Sequence, residues 1–304
     1  MKRLMLSLIA LAMPGFAQDG RVEVNGIPIA YRSYGAAKHG TILLIAGTSM
    51  QLTAWPSELV GTLVKKGYRV VAYDHRDVGL SGRAQAGSQY TVHDLAKDAI
   101  GLLDRLQIRK AHIVGASMGG MIAQIIASDW PDRTLSLTSL MATDGKPGLP
   151  IIAKPEAFAK VPSPMPGEDK AAYIERQIKV LEALGSPAYP TDEATLRKRA
   201  TAAVERAYDP AADTRQATAA YMGAIEDRRP QLKTINAPTV VVHGAEDPIV
   251  PVEAGRDVAA NIPNAELRVI PGMGHEVPAA LAPRVADAIV AAASRHNRGK
   301  NKSL

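Results

Sequence analysis

The sequence predicts an α/β fold: a mainly parallel, twisted sheet flanked by helices, with a helical cap inserted after its middle. Three observations carry this expectation. Short apolar runs such as "GTILLIAG", "YRVVAYDHR" and "KAHIVGAS" have the continuous hydrophobicity of strands buried on both faces. Helical patterns alternate with these runs at a spacing suited to βαβ crossovers. The alternation lapses once, between Lys146 and about Tyr208, where prolines and amphipathic stretches stand instead of strands. At 304 residues, 46% of them hydrophobic, the chain can bury one large core and carry an insertion.

Taken in order, residues 1–17 open with Lys2 and Arg3, continue through ten nearly all-apolar residues from Leu4 to Met13, and end on Pro14, Gly15 and Ala17. That layout predicts a secretory signal cleaved after Ala17, and hence a periplasmic or secreted protein. The run falls short of the roughly 20 apolar residues a membrane span needs. With no cysteine in the chain there is no site for a lipid-anchored cysteine, so no stable membrane anchor is expected.

The stretch "RVEVNGIPIAYRSYG" then predicts a hairpin, with Asn25-Gly26 as its two-residue turn. Strands are expected in "GTILLIAG", from Tyr68 to Arg76, from Lys110 to Ser117, and in "RTLSLTSLMATDG", "APTVVVHGAED" and "AELRVIPGMGH". Helices are expected over 55–66, 92–106, 118–128, 252–261 and 281–294. The resulting organisation is a signal at 1–17, a core at 18–145 and 209–294, a helical cap at 146–208, and a basic disordered tail at 295–304. A structureless loop as long as the insertion is uncommon in a compact domain, so "AAYIERQIKVLEALG" and "DEATLRKRATAAVERAY" are assigned to cap helices.

The formal charge of +6 invites a nucleic-acid reading, which its distribution opposes. Lys2, Arg3, Arg295, Arg298, Lys300 and Lys302 lie in the two ends, neither of which holds an acid, so residues 18–294 are electrically balanced. A balanced body lacks the basic footprint of a nucleic-acid binder.

The chemistry gathers around "HIVGASMGGMIAQ". Here Gly115 to Gly119 fit a G-x-S-x-G pattern between a strand and a helix, where a sharp turn exposes the Ser117 hydroxyl at a helix N-terminus. A serine hydroxyl needs a base. Of seven histidines, His275 alone follows a strand in a loop rich in glycine and proline. His39, His75, His93, His112, His243 and His296 suit packing or surface positions. A histidine base needs an orienting carboxylate, and Asp247 in "VVHGAEDPIV" supplies one at a strand end, with Asp144 in "LMATDG" as the alternative. Asp247 is favoured because Pro248 stiffens its turn. Ser117, Asp247 and His275 thus each follow a strand, in that order along the chain.

These residues resemble the α/β-hydrolase fold family, and the resemblance runs over essentially the whole chain after residue 17. "AGTSMQLTAWP", "YDHRDVGLS", "VGASMGGMIAQ" and "PGMGHEVP" are most similar to the group containing aclacinomycin methylesterase and less closely to enol-lactonases. The resemblance implies a serine esterase or lactonase with Ser117, Asp247 and His275 as a catalytic triad. It implies an oxyanion hole made by the backbone N–H groups of Thr48 and Met118, each such donor being worth about 3 kcal/mol in the transition state. Ala46-Gly47 replaces the family's usual His-Gly, which leaves the backbone donor in place. In "YDHRDVGLS", Asp77 stands where the family has glycine, and Asp74, Arg76 and Asp77 are assigned to holding loops together.

Only Phe16 and Phe158 are phenylalanines, so an aromatic cage is not expected. Met50 and Met273 flank the motifs and are candidate lining for an apolar pocket. No cofactor or metal is called for. The expected activity is cleavage of a carboxylic ester of a small apolar molecule. An enol-lactonase or carbon–carbon bond hydrolase would use the same residues, and a receptor-like protein could keep the fold to hold a ligand.

Overall fold

Asn25 and Gly26 both take positive φ, the condition of a type I′ turn, and this joins β1 (Gln18–Val24) to β2 (Ile27–Tyr34) as an antiparallel hairpin. In the computed structural model, residues 17–300 are described, with the exception of 86, 151 and 164–166. The expected signal sequence therefore lies outside the described residues apart from Ala17.

The next strands are β3 (Thr41–Ile45), β4 (Arg69–Tyr73), β5 (Ala111–Ala116), β6 (Thr134–Leu140), β7 (Thr239–Gly244) and β8 (Glu266–Ile270). They form one eight-stranded sheet in the order β1-β2-β4-β3-β5-β6-β7-β8, parallel except where β2 meets β1 and β4. Successive side chains of a strand point to opposite faces. Ile42 and Leu44 accordingly enter the core on one side of the sheet, while Leu43 and Ile45 enter the core on the other. Both cores are closed by helices, which is why these strands read as unbroken apolar runs rather than alternating ones.

On one face lie α1 (Ser57–Lys65) and α9 (Ala282–Lys300). On the other lie α2 (Val92–Arg105), α3 (Met118–Asp129) and α8 (Val252–Asn261). The start of α2 is fixed by a capping box between Thr91 and Asp94. The segment between β6 and β7 contains α4 (Lys170–Leu184), α5 (Glu193–Arg206), α6 (Pro210–Ile225) and the single turn α7 (Arg229–Leu232). Asp169, Asp192 and Asp209 cap α4, α5 and α6 through their side chains. α4 and α5 share their own small core of Ile178, Leu196 and Ala200. α6 instead packs on the main core through Ala219, with Gly223 against Val92.

The C-terminal expectation needs correction. α9 continues to Lys300, so residues 295–300 are helical rather than disordered; Arg295 is held by an ion pair with Glu266 at 2.5 Å. Residues 301–304 lie outside the described residues.

Candidate active site

Ser117 sits in the turn from β5 into α3 with φ 55° and ψ −123°, outside the ordinary basins of an L-residue. The flanking glycines make this turn possible. A Cβ on Gly115 would run into the Gly119 carbonyl, and a Cβ on Gly119 would run into the Ile45 carbonyl. The Ser117 amide donates to Leu140 O at 2.9 Å, and its carbonyl accepts from the Gly120 and Met121 amides. Strain stored at one residue is thus held by the sheet on one side and the helix on the other.

The structure brings Ser117, His275 and Asp247 together. Ser117 Oγ lies 2.9 Å from His275 Nε2, and His275 Nδ1 lies 2.7 Å from Asp247 Oδ2. With Nδ1–H donating to the carboxylate, Nε2 is left to accept the serine proton. Asp247 is 3% exposed and His275 8% exposed, so both work largely out of water. The other carboxylate oxygen, Asp247 Oδ1, accepts the Ile249 and Val250 amides at 2.9 and 2.8 Å. Pro248, which has no N–H, lies between Asp247 and those donors. Beneath this turn, buried His243 donates from Nε2 to Val250 O at 2.9 Å, and burial depresses its pKa, which keeps it neutral.

The loop bearing His275 is tied to the insertion. Its amide donates to Leu184 O at 2.9 Å, the Gly274 amide donates to Ser186 Oγ at 3.0 Å, and the Ser186 amide donates to Glu276 Oε1 at 3.1 Å. Burial raises the Glu276 pKa.

Across from this loop, the chain leaving β3 passes over Ser117: a Cβ on Gly47 would lie 3.3 Å from Ser117 Cβ. Met118 is the first residue of α3, where an amide has no intrahelical acceptor. Among the described residues the Thr48 amide has no protein acceptor either, whereas the Ser49 and Met50 amides are both engaged. Neither the Thr48 nor the Met118 amide has an acceptor among the described residues, and each adjoins in sequence a residue of this turn, Gly47 or Ser117. This arrangement can deliver an oxygen nucleophile to a carbonyl and hold the oxygen that becomes negative.

Of the two methionines expected to line a pocket, Met50 is half-buried beside Thr48, but Met273 has no exposed surface. It belongs to the same buried cluster as Ile270 and Leu281, and its backbone carbonyl lies close against Gly244. Asp144, the alternative carboxylate, is fully buried at the end of β6 beside Asp257 and has no hydrogen bond to His275 among the described residues.

The charges after β4 hold loops. Asp74 accepts the Leu52 and Leu80 amides and Arg206, Arg76 pairs with Asp98 at 2.6 and 2.7 Å, and Asp77 takes both nitrogens of an Arg215 fork at 2.8 Å. Two further partners are not read from the sequence. His75, fully buried and held neutral by burial, donates to Ala46 O at 3.1 Å. Gln216 of α6 accepts the Ser49 amide at 2.6 Å. A buried glutamine on an otherwise small-residue helix face was the one signal pointing to the second.

Residues 40–278 match the family of the alpha/beta hydrolase fold. The chain is 32% identical over 272 residues to rhodomycin D methylesterase from Streptomyces peucetius, an alignment spanning 82% of this chain and 89% of that protein. It resembles the solved enol-lactonase from Burkholderia xenovorans with a TM-score of 0.69 at 23% identity, covering 90% of this chain and all of that one. A meta-cleavage product hydrolase from Pseudomonas fluorescens superposes with a TM-score of 0.73 at 22% identity, over 91% of this chain and 97% of that one.

Proposed function

The chain belongs to the α/β-hydrolase fold family, and from that premise we propose that it is a serine hydrolase cleaving a carboxylic ester of a small, apolar molecule. The observation that carries this is the unbroken hydrogen-bonded series from Ser117 Oγ through His275 to Asp247. Ser117 attacks the ester carbonyl while His275 Nε2 takes its proton. Asp247 holds the imidazole in the required tautomer and stabilises the charge it gains. The carbonyl oxygen, now negative, is met by the Thr48 and Met118 amides. His275 returns the proton to the departing alcohol, and a water activated in the same way clears the acyl-enzyme. The similarity to a methylesterase supports an ester as the bond cleaved.

Ser117→Ala is the direct test. It removes the nucleophile with little change in volume, and the expected loss of kcat is roughly 10⁵- to 10⁶-fold, with the melting temperature nearly unchanged. Fluorophosphonate labelling should mark the wild-type protein and not S117A. Hydrolysis by S117A near the wild-type rate would refute the assignment.

Export is proposed on separate grounds: the charged, apolar and small-residue order of residues 1–17. Mass spectrometry of protein from its native host should find a chain beginning at Gln18 outside the cytoplasm. Functional cytoplasmic protein retaining residues 1–17 would refute it.

A further inference from the structure

The loop leaving β3 must present one amide and conceal its neighbours, and the means of doing so lies outside the loop. Ser49 holds φ at +57°, a left-handed conformation that is unfavourable for a non-glycine residue and persists only where the surroundings enforce it. The Met50 amide is spent within the loop, on Gly47 O at 3.2 Å. The Ser49 amide is spent on a side chain 167 residues away, Gln216 Oε1 at 2.6 Å.

Gln216 has no exposed surface. Its Nε2 donates to Arg76 O at 3.3 Å, which fixes which end of the side-chain amide faces Ser49. One buried side chain of α6 thus bridges the loops that follow β3 and β4. A second bridge runs from α5: Gln51 Nε2 donates to Ala203 O at 2.7 Å, and Gln51 Oε1 accepts Arg206 at 2.6 Å. From beneath, His75 grips Ala46 O. With the Ser49 and Met50 amides engaged, the Thr48 amide between Gly47 and Ser49 has no acceptor among the described residues.

Resting on the ester-hydrolase reading, we infer that Gln216 is a positioning residue of the oxyanion hole: α6, through Gln216 and the Ser49 amide, sets the direction of the Thr48 N–H. The geometry of the hole is then coupled to the seating of α6 on the core, and a displacement of α6 loosens the donor without touching Ser117 or His275.

The experiment compares wild type, Q216M, Q216E and S117A on an aryl ester and on its thionoester, which differs only in carrying C=S for C=O and draws less on an oxyanion donor. Q216M is nearly isosteric and lacks the acceptor. It is expected to lower kcat for the ester about 10- to 100-fold, with KM changed less than about threefold and the thionoester rate lowered less than about threefold. Q216E keeps an oxygen for the Ser49 amide but sets its second oxygen against Arg76 O, and is expected to fall between wild type and Q216M. Exchange of the Ser49 amide proton should be slow in wild type and Q216E and fast in Q216M. Equal losses on both substrates, an unchanged Q216M, or a Q216E as poor as Q216M would each overturn the inference. Should Q216M fail to fold, Gln216→Asn, which withdraws the acceptor by one methylene, is read by the same rate ratio. Activity retained by S117A would instead overturn the ester-hydrolase reading.

Discussion

Asp247 and Asp144 lie in the loops just beyond neighbouring parallel strands, β7 and β6, at the same end of the sheet, and their surroundings give them opposite chemistry. Asp247 receives two backbone amides and an imidazole N–H, so its charge is fully met although the side chain is buried. Asp144 receives one amide, that of Lys146 at 3.2 Å, and its Oδ2 has no donor among the described residues. It lies against Asp257 of α8. Burial first, and the Asp257 charge second, push the Asp144 pKa up to about 6. The nearest cations give its side chain no hydrogen bond among the described residues. Lys146 Nζ is bound to Asp257 at 2.9 Å, and the buried Arg228 directs its donors to the carbonyls of Thr143, Gly223 and Glu226. Position at a strand end therefore makes a carboxylate available, and the supply of donors decides whether it can remain charged beside a histidine.

The comparison can be broken most sharply at Asp247. Asp247→Asn keeps an acceptor for the Ile249 and Val250 amides and turns an N–H toward His275, which forces the other tautomer. The expected loss of kcat is up to about 10⁴-fold, with little change in melting temperature. Steady-state kinetics on any ester the protein cleaves, together with a thermal melt, would measure both. A loss under tenfold would remove Asp247 from the proposed role.

Asp144→Asn should do the reverse. Activity should stay within about threefold of wild type, and the melting temperature at neutral pH should rise, because a neutral amide no longer opposes Asp257. Burial and the neighbouring Asp257 charge both oppose the ionised carboxyl, so removing that charge should raise the melting temperature by a few degrees. A large loss of kcat would transfer the acid to Asp144.

The pH dependence sharpens the same contrast and has a fixed sign. The folded-state pKa of Asp144 lies above its unfolded value, so the folded protein binds the extra proton between about pH 4 and 6. This group's contribution to stability is present below that window and is lost as pH rises through about 6. The melting-temperature gain of D144N should accordingly be near zero at pH 4, grow through pH 6 and level off above it. A gain that does not vary with pH would mean that packing, not charge, separates the two variants.

The smallest effect is expected from Asp257→Asn. It removes the like charge from Asp144 but leaves Lys146 without its partner. The two changes oppose each other, so the melting temperature should move by less than about 2 °C. A carbon-13 carboxyl titration should show Asp144 returning toward the ordinary aspartate range. An unchanged Asp144 titration would leave burial as its sole cause.

Local patterns were the most legible part of this protein. The Asn25-Gly26 turn, the runs buried on both faces and the crowded Gly115 to Gly119 turn are each set by residues within a few positions of one another, where backbone sterics and side-chain period act directly. Ser117, Asp247 and His275 were legible for a related reason: each stands just beyond a recognisable strand, and parallel strands place those ends on one edge of the sheet. The choice between Asp144 and Asp247 rested in the sequence on a neighbouring proline, whereas the distances to His275 and Asp257 are tertiary facts. Met273 matched a pocket position by its place beside His275, yet it lies in the core. Arg295 matched a tail by composition, yet Glu266 holds it. Gln216 carries only a faint marker, a glutamine on an otherwise small-residue helix face, since its partner is 167 residues away. Which backbone turns and strands form is a local matter, because it depends on neighbours in the chain. Which buried polar atom meets which partner is a matter of the folded whole, because that pairing depends on how helices from distant parts of the chain come to rest on the sheet.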